Sequence, residues 1–247
     1  MNGLRSRLQA GPVVGTFVKL PRPEVVDVMA LAGFDFVVCD YEHAQTDVAG
    51  VLDTVRAGSG AGIPVLVRLP ELDRGLINRV LEAGAAGIQL ARANAVTATE
   101  LRRVIRYPPE GTRSISLTQP AARYGTRSLG DAIAEANAQA LGVGQFETRD
   151  YAVSLDEAVA ALDVAFIGPV DLSVDLGYPD EPAAGPVRAA MAAIEAAAAR
   201  TRTPLGTFAA TRAAAGAAVA EGYRYVVVSS DLGMLVSAAR AALAASD

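Results

Sequence analysis

The side chains that could do chemistry in this chain stand at the ends of short apolar runs. Arg68 closes VLVR, Gln145 and Glu147 end VGQFE, and Asp171 follows VAFIGPV, while His43 comes three residues after FVVCD. The carboxyl ends of parallel strands meet at one face of an α/β enzyme, where the catalytic groups lie. We therefore predict that these five residues converge on one site.

Glu147 and Asp171 would come from neighbouring strands. Two carboxylates that leave room for water and substrate oxygens suit a hard divalent cation. We predict a site for Mg²⁺ or Mn²⁺, with Co²⁺ as a further candidate. The structural alternative is that Glu147 is a charge beside a helix and Asp171 the cap of a short turn.

His43 is the only histidine of the chain, and it could accept and return a proton near neutral pH. Arg68 could be a fixed cation for a carboxylate or for a developing enolate oxygen. Each residue also has an ordinary interpretation, as a hydrogen-bonded histidine and as an arginine paired with barrel carboxylates. Together with a metal they suit the enolisation of a 2-oxo acid.

Lys19 provides an alternative mechanism. It is the only lysine and follows the first predicted strand, so it could form a Schiff base with a carbonyl substrate without any metal. We rank this mechanism second, because the two carboxylates would then have no purpose.

The composition sets broad limits. The chain has 247 residues, of which 51% are hydrophobic and 20% charged, with a formal net charge of −5. These values predict a large core and no surface for nucleic acid or an anionic membrane. We expect Cys39 to be a buried structural thiol. Without a signal-peptide pattern or an apolar run long enough to cross a bilayer, the expectation is a soluble, cytoplasmic protein.

The hydrophobic pattern alternates between strand and helix along the whole chain. Predicted helices follow each strand, with a capping box at Thr97–Glu100 and a cap at Ser154. The segment 107–127, rich in Pro, Gly and Arg, is a long connection of the functional kind. The strands are predicted at Val13–Leu20, Phe36–Asp40, Pro64–Leu69, Gly87–Ala91, Val143–Glu147, Val164–Gly168, Leu205–Ala209 and Tyr225–Ser229.

Eight such units predict a (β/α)8 TIM barrel that forms one domain over residues 1–247. No glycine fingerprint stands at the first strand-to-helix turn, GTFVKLPRP, which argues against a dinucleotide-binding open sheet.

The chain resembles the HpcH/HpaI family, the metal-dependent (class II) pyruvate aldolases that include 4-hydroxy-2-oxoheptanedioate aldolase. The resemblance lies in an ordered set of segments over nearly the whole chain: GFDFVVCDYEHA, PVLVRLP, EAGAAGIQLARANA, RYPPEGTRS, QFET, FIGPVDLSVDLG and GYRYVVVSSDLGML. It implies a barrel of the phosphoenolpyruvate/pyruvate-domain type whose last helix is exchanged between subunits, in a hexamer built as a trimer of dimers.

The resemblance also implies roles for single residues. Glu147 and Asp171 match the metal ligands, His43 the acid/base histidine, and Arg68 the arginine beside the enolate oxygen. Gln145 matches the glutamine beside the pyruvate moiety, and Gly168-Pro169 the turn whose main chain meets the carboxylate. Glu82 stands where the family often has an aspartate that orients the histidine of a neighbouring subunit.

Two departures from the family pattern concern the substrate. Ala91-Arg92 replaces a common proline after the fourth strand, and Gln119-Pro120 stands near the place of an arginine. In relatives, the loop with this arginine borders the substrate.

The resemblance implies reversible cleavage of a 4-hydroxy-2-oxo acid, through a metal-bound enolate, to pyruvate or a similar 2-oxo acid and an aldehyde. The alternatives are a biosynthetic carbon–carbon bond-forming or decarboxylating enzyme on the same scaffold, and a non-catalytic barrel that binds a 2-oxo acid.

Overall fold

A closed barrel of eight parallel strands forms the centre of the molecule, with each strand paired to the next in sequence and β8 paired to β1. The computed structural model describes residues 3–152, 154–179, 181 and 183–244. The predicted barrel is confirmed. Its strands are β1 Val13–Val18, β2 Phe36–Asp40, β3 Val65–Leu69, β4 Gly87–Leu90, β5 Leu141–Phe146, β6 Val164–Ile167, β7 Leu205–Ala209 and β8 Tyr225–Ser230.

Helices follow every strand and surround the barrel. Short 3₁₀ turns at Pro120–Gly125 and Arg149–Ala152 interrupt two connections. The α-helices in the described ranges are α1 Leu4–Ala10, α2 Pro23–Leu31, α3 Val48–Ala61, α4 Arg74–Ala83, α5 Ala95–Val104, α6 Leu129–Gln139, α7 Leu155–Ala160, α8 Pro169–Asp175, α9 Gly185–Thr201, α10 Arg212–Ala220 and α11 Asp231–Ala244.

Two apolar layers hold these elements together. One fills the barrel, where Phe36, Phe166 and Tyr225 meet the side chains of Leu4 and Leu8 from α1. The other lies between the strands and the helices, and Val37, Val67 and Ile167 belong to it. Successive strand residues point to opposite faces, so that both layers draw on the same strands and the strands are apolar throughout.

The barrel interior accommodates its aromatic rings because a neighbouring strand has no side chain at one position. The Phe36 and Tyr225 rings stack with their centroids 4.4 Å apart. A Cβ atom on Gly15 would overlap the Phe36 ring. Gly15 is therefore required by packing.

Several local predictions were wrong. α1 and α8 were not predicted. The capping box lies at Asn94 and Thr97 rather than Thr97–Glu100, because the side chain of Asn94 accepts from the N–H groups of Val96 and Thr97. Ser154 is the N-cap of α7 but makes no side-chain capping bond.

Cys39 is buried in β2, as predicted. Burial raises the pKa of its thiol to about 12, which keeps the sulfur protonated and unreactive. As for membranes, the helices of the described ranges include none with the length and apolar character of a bilayer span.

We expect Gly15→Ala to lower the free energy of unfolding by about 1–3 kcal/mol, because the added methyl group overlaps the Phe36 ring. Gly216→Ala, within α10, is the matched control, since a Cβ atom there would have no neighbour within 4 Å in the described part of the chain. That substitution should raise stability by up to about 1 kcal/mol through helix propensity. Urea unfolding measures both, and equal effects would contradict the packing argument.

Candidate active site

A cavity of about 410 Å³ opens at the carboxyl end of the barrel. It brings together most of the predicted site residues, with Lys19 beside them. The predicted residues that line it are His43, Arg68, Gln145, Gly168, Pro169 and Asp171. Glu147 lies directly behind Gln145, to which it is hydrogen-bonded.

Arg68 is held by a carboxylate that was not among the predicted site residues, Asp40. Its Nε donates to Asp40 Oδ1 at 3.0 Å and its Nη2 to Oδ2 at 2.7 Å. Both side chains are buried, and the guanidinium also lies 4.3 Å from the centroid of the Phe17 ring. A two-point ion pair fixes the plane of the guanidinium, so Arg68 presents its charge at one place.

The ionisation of Asp40 depends on this pairing. Burial alone would raise the pKa of the Asp40 carboxyl, but the hydrogen bonds and charge of Arg68 outweigh it. The N–H of His43 and the Lys19 ammonium act in the same direction, and the pKa of Asp40 lies below its usual value.

Asp40 also organises the loop that carries the predicted proton carrier. Its Oδ1 accepts hydrogen bonds from the backbone N–H groups of Glu42 and His43, both at 3.1 Å. The His43 side chain is 54% exposed, and its Nε2 lies 3.6 Å from Glu42 Oε2. The His43 imidazole is therefore accessible both from solvent and from the cavity that it lines.

Glu42 carries a buried oxygen without a hydrogen bond. Its Oε2 lies 3.4 Å from Arg68 Nε but has no hydrogen-bond partner within the described part of the chain. Burial raises the pKa of this carboxyl against the opposing effect of Arg68. Such an atom can accept a hydrogen bond from a substrate hydroxyl or from a water molecule.

A relay of side chains orients Gln145 and Glu147. A carboxylate can only accept, so Gln145 Nε2 must donate to Glu147 Oε2. Gln145 Oε1 then accepts from Gln89 Nε2 at 2.8 Å, and Gln89 Oε1 accepts from the Tyr225 hydroxyl at 3.2 Å. Burial raises the pKa of Tyr225 well above its usual value, which keeps that hydroxyl a donor.

Glu147 is 5% exposed, and burial raises its pKa to about 7. The backbone N–H of Arg92, 2.8 Å from Oε1, and the amide of Gln145 lower it, while the charges of Asp171 and Glu42 raise it further. A carboxylate in this position lacks a cation, and a divalent ion near Asp171 would supply one.

The donor set fits a hard divalent ion. Among the described residues no three His, Cys, Asp or Glu side chains form a metal cluster. The two predicted ligands, Glu147 and Asp171, are close enough for the charge of Asp171 to raise the pKa of Glu147. Mg²⁺ is often bound by one or two carboxylates, with water and substrate oxygens completing the shell. Asp171 is exposed in the first turn of α8, so it lies in a helix and not in the expected turn.

Gly168 makes the space between these groups. A Cβ atom here would lie 3.2 Å from Glu147 Oε2 and 3.4 Å from Gln145 Nε2. The absence of a side chain thus lets α8 begin directly beside the carboxylate and the amide.

Glu82 does not line this cavity. It lies on α4, accepts a hydrogen bond from Asn78 at 3.2 Å, and faces a second cavity of about 370 Å³. Ile115, Ala121 and Ala122 of the segment 107–127 line the same second cavity. A role for Glu82 at His43, as the resemblance implies, therefore requires a second copy of the chain and stays a prediction.

Comparisons with known proteins identify the family of the chain. The HpcH/HpaI aldolase/citrate lyase family matches residues 14–238. A hydroxypyruvate/pyruvate aldolase of Paraburkholderia phytofirmans is 32% identical over 98% of this chain and 96% of its own.

The chain belongs to the HpcH/HpaI aldolase/citrate lyase family.

Solved structures of relatives share the whole barrel. The HpcH/HpaI aldolase of Desulfitobacterium hafniense superposes with a TM-score of 0.92 at 29% identity, over 99% of this chain and 96% of that one. The citrate synthase SbnG superposes with a TM-score of 0.88 at 27% identity, over 99% and 97%. Relatives that match nearly the whole chain are named hydroxypyruvate/pyruvate aldolase, 5-keto-4-deoxy-D-glucarate aldolase and 2-dehydro-3,6-dideoxy-6-sulfogluconate aldolase, so the chain is an enzyme of the aldehyde-lyase class.

Sequence reasoning missed Asp40, Gln89 and Asp231. Asp40 ends β2, and the strand register pairs it with Arg68, which in turn pairs with Gln89 on β4. The carboxylate of Asp231, at the start of α11, accepts from the backbone N–H of Lys19 and Leu20 at the end of β1. A predicted register would have identified the first two residues. The hydrogen bonds that Lys19 and Leu20 donate to Asp231, in contrast, require β8 to lie beside β1, which is the closure of the barrel.

We expect Asp40→Asn to lower the free energy of unfolding by up to about 3–5 kcal/mol at pH 7, because it removes the two-point ion pair of buried Arg68 and leaves only the more distant Glu42 carboxylate as a counter-charge. The pKa of Asp40 is lower in the folded chain than the value of about 3.9 in an unfolded one. Its contribution is therefore complete above pH of about 5 and is lost as the pH falls through the folded value.

Urea unfolding of the wild type and of Asp40→Asn at several pH values from 7 to 3 measures this difference. The difference in free energy of unfolding between the two proteins should be constant near neutral pH and become smaller below about pH 4. Asp53→Asn, in an exposed pair with Arg56, is the control and should cost no more than about 1 kcal/mol. A gap that persists unchanged at pH 3 would contradict the assignment.

Proposed function

We propose that the chain is a divalent-metal-dependent aldolase that reversibly cleaves a 4-hydroxy-2-oxo acid to pyruvate, or a similar 2-oxo acid, and an aldehyde. The observation that supports this proposal is that a fixed cation, Arg68, an accessible imidazole, His43, and the carboxylate of Asp171 line one cavity. Glu147 does not line this cavity, but it is hydrogen-bonded to the lining residue Gln145, and the charge of Asp171 raises its pKa. The name of the relative from Paraburkholderia phytofirmans supports pyruvate as the 2-oxo acid.

Glu147 and Asp171 would hold Mg²⁺, Mn²⁺ or Co²⁺. When bound, such an ion acts as a Lewis acid that polarises the carbonyl of a 2-oxo acid. Gln145 carries a further N–H besides the one given to Glu147, and it lines the cavity where it could donate to a substrate oxygen. Gly168 leaves the room for the substrate carboxylate at the start of α8.

His43 would transfer the proton, and Arg68 would stabilise the negative charge of the enolate oxygen. In cleavage, His43 accepts the proton of the 4-hydroxyl group, the C3–C4 bond breaks, and the aldehyde carbonyl forms. The electron pair of that bond moves into an enolate, whose oxygen lies beside Arg68. His43 then returns the proton to C3, and this gives the methyl group of pyruvate without a net gain or loss of protons.

The exchange of pyruvate methyl protons in D₂O tests the enolate half of the reaction. We expect the ¹H signal to disappear with Mg²⁺ or Mn²⁺ and to persist with a chelator. Glu147→Gln should abolish exchange, and His43→Ala should slow it by about 100-fold or more. Glu100→Gln, in a surface pair with Arg103, is the matched control and should exchange like the wild type.

Mn²⁺ should also raise the melting temperature of the wild type but not of Glu147→Gln, because only the former holds the ion. Exchange that survives the chelator and is lost in Lys19→Ala would contradict the metal mechanism and favour a Schiff base.

We also propose that the active enzyme is a homo-oligomer, a hexamer of the trimer-of-dimers type, in which α11 packs on another subunit. Leu232, Leu235, Val236 and Leu243 of α11 are exposed apolar residues, with Leu243 77% exposed. A row of this kind is typical of a face that a partner covers. In such an assembly Glu82 of one subunit could reach His43 of another.

Subunit mixing tests the role of Glu82. We expect His43→Ala and Glu82→Ala to be inactive separately. After unfolding and refolding together, part of the activity should return, because some sites combine an intact His43 with an intact Glu82 from a neighbour. Activity of Glu82→Ala alone at the wild-type level, or no recovery on mixing, would contradict the shared site.

The second candidate is a biosynthetic enzyme that forms a carbon–carbon bond with an enolate from oxaloacetate or a similar donor. The likeness to the citrate synthase SbnG favours it. Product analysis separates the two, since the aldolase releases an aldehyde from a 4-hydroxy-2-oxo acid, whereas the biosynthetic enzyme consumes or decarboxylates the donor.

A further inference from the structure

We propose that Arg149 and Asp175 are positioning residues for the metal site, because their pairing fixes the relative position of the two predicted ligands, Glu147 and Asp171. This inference rests on the proposed function, since it assumes that these two carboxylates bind a divalent ion. Arg149 and Asp175 would contact neither the ion nor the substrate. They would act through the two chain segments that carry the ligands.

The barrel itself fixes only where these two segments start. The parallel pairing of β5 with β6 ends at Phe146 and Ile167, and both ligands lie beyond it. One further bond follows, in which the backbone N–H of Gly168 donates to the carbonyl oxygen of Phe146 at 3.1 Å. Glu147 is the residue after Phe146, and Asp171 lies in the first turn of α8, which begins directly after Gly168.

Arg149 and Asp175 join the same two segments a second time. The Oδ2 atom of Asp175, the last residue of α8, accepts from the backbone N–H of Arg149 at 2.8 Å and from its Nε at 3.1 Å. The Nη2 of Arg149 in turn donates to the backbone carbonyl oxygen of Asp175. Main-chain atoms take part on both sides, so the pair fixes the course of two backbones and not only of two side chains.

Both ligands lie between the first connection and the second. Glu147 comes two residues before Arg149, and Asp171 comes four residues before Asp175. Residues four apart in a helix share a face, so Asp171 lies on the side of α8 that the pair holds to the segment after β5. Two segments that are joined at both ends of the ligand-bearing stretch cannot pivot about either connection.

Asp171 depends on this arrangement more than Glu147 does. Glu147 is buried and accepts hydrogen bonds from Gln145 and from the N–H of Arg92. The Asp171 side chain is exposed, and α8 has only seven residues. A helix this short is not stable in isolation, so its orientation, and with it the place of Asp171, depends on the contacts at its two ends.

A merely structural role would have a different signature. The side chains of Arg149 and Asp175 are 65% and 26% exposed, and exposed ion pairs contribute little to the free energy of unfolding. Groups that orient metal ligands, in contrast, typically change metal affinity by about 10- to 100-fold. Loss of the pair should therefore weaken metal binding without a matching loss of stability.

Binding of Mn²⁺ to the full chain, followed by the EPR signal of the free ion, tests the inference. We expect Arg149→Met to raise the Mn²⁺ Kd by about 10-fold or more. This substitution also removes a positive charge near a cation site, and that change alone would lower the Kd. The sign of the effect therefore separates positioning from electrostatics. Arg149→Lys keeps the charge but not the planar fork of donors, and its Kd should also rise.

Arg200→Met is the matched control. Arg200 forms an exposed two-point pair with Asp156, at 2.9 and 2.6 Å, between α9 and α7. This variant should keep the wild-type Mn²⁺ Kd. Without metal, Arg149→Met and Arg200→Met should both melt within about 4 °C of the wild type.

Pyruvate proton exchange separates this inference from the proposed function. In a working aldolase, the Mn²⁺ concentration for half-maximal exchange should rise in Arg149→Met in parallel with the Kd, and saturating Mn²⁺ should restore the rate toward the wild-type value. If the wild type binds Mn²⁺ but exchanges no protons, the aldolase proposal fails, and the Mn²⁺ titration still decides the role of the pair. An unchanged or lower Kd in Arg149→Met, or no binding of Mn²⁺ by the wild type, would overturn the inference.

Discussion

The buried pair of Asp40 and Arg68 is the interaction on which the candidate site depends. It joins the ends of β2 and β3 through two hydrogen bonds, and the same carboxylate holds the backbone at His43. A buried pair of charges contributes little net stability, since desolvation offsets most of the attraction. The pair matters because its two hydrogen bonds fix the position of the guanidinium. The guanidinium cannot leave Asp40 without the cost of a poorly paired buried charge, so its position at the cavity is fixed.

The relay from Tyr225 through Gln89 and Gln145 to Glu147 works in the same way on the other side of the barrel. The Tyr225 hydroxyl and the two amides each donate to the next residue of the relay. The amide of Gln145 is therefore fixed without any contact to substrate. Glu147 is thereby oriented but not neutralised, and burial still raises its pKa. A site oriented by neutral donors and short of positive charge is a suitable place for a cation, as the resemblance to metal-dependent aldolases implies.

Much of the fold and of the candidate site could be predicted from the sequence, because a parallel barrel repeats the same pattern of apolar strands that end in polar residues. Apolar runs such as FVVCD and VLVR identify the strands, and polar residues at their ends identify the mouth. The strand register, in contrast, is a tertiary property, so the pairing of Asp40 with Arg68 was not predicted. Likewise Gly168-Pro169 predicted only a turn, although Pro169 is the first residue of α8 and places Asp171 in its first turn. Glu82 was assigned from the resemblance alone, and one chain cannot show whether it reaches a neighbouring His43.

The two walls of the cavity differ in how they are built. Arg68, Gln145 and Glu147 are buried and fixed by several hydrogen bonds each, which suits a chemical step that tolerates little movement. Lys19 is partly exposed, and its ammonium makes one ion pair, at 3.4 Å from Asp40 Oδ2, so it is held less firmly than Arg68. Ser229 holds its place at a cost in backbone strain. Strain of this kind persists where the surrounding structure enforces it. Here Ser229 lies where the pairing of β1 with β8 is irregular, between Val227 and Ser230.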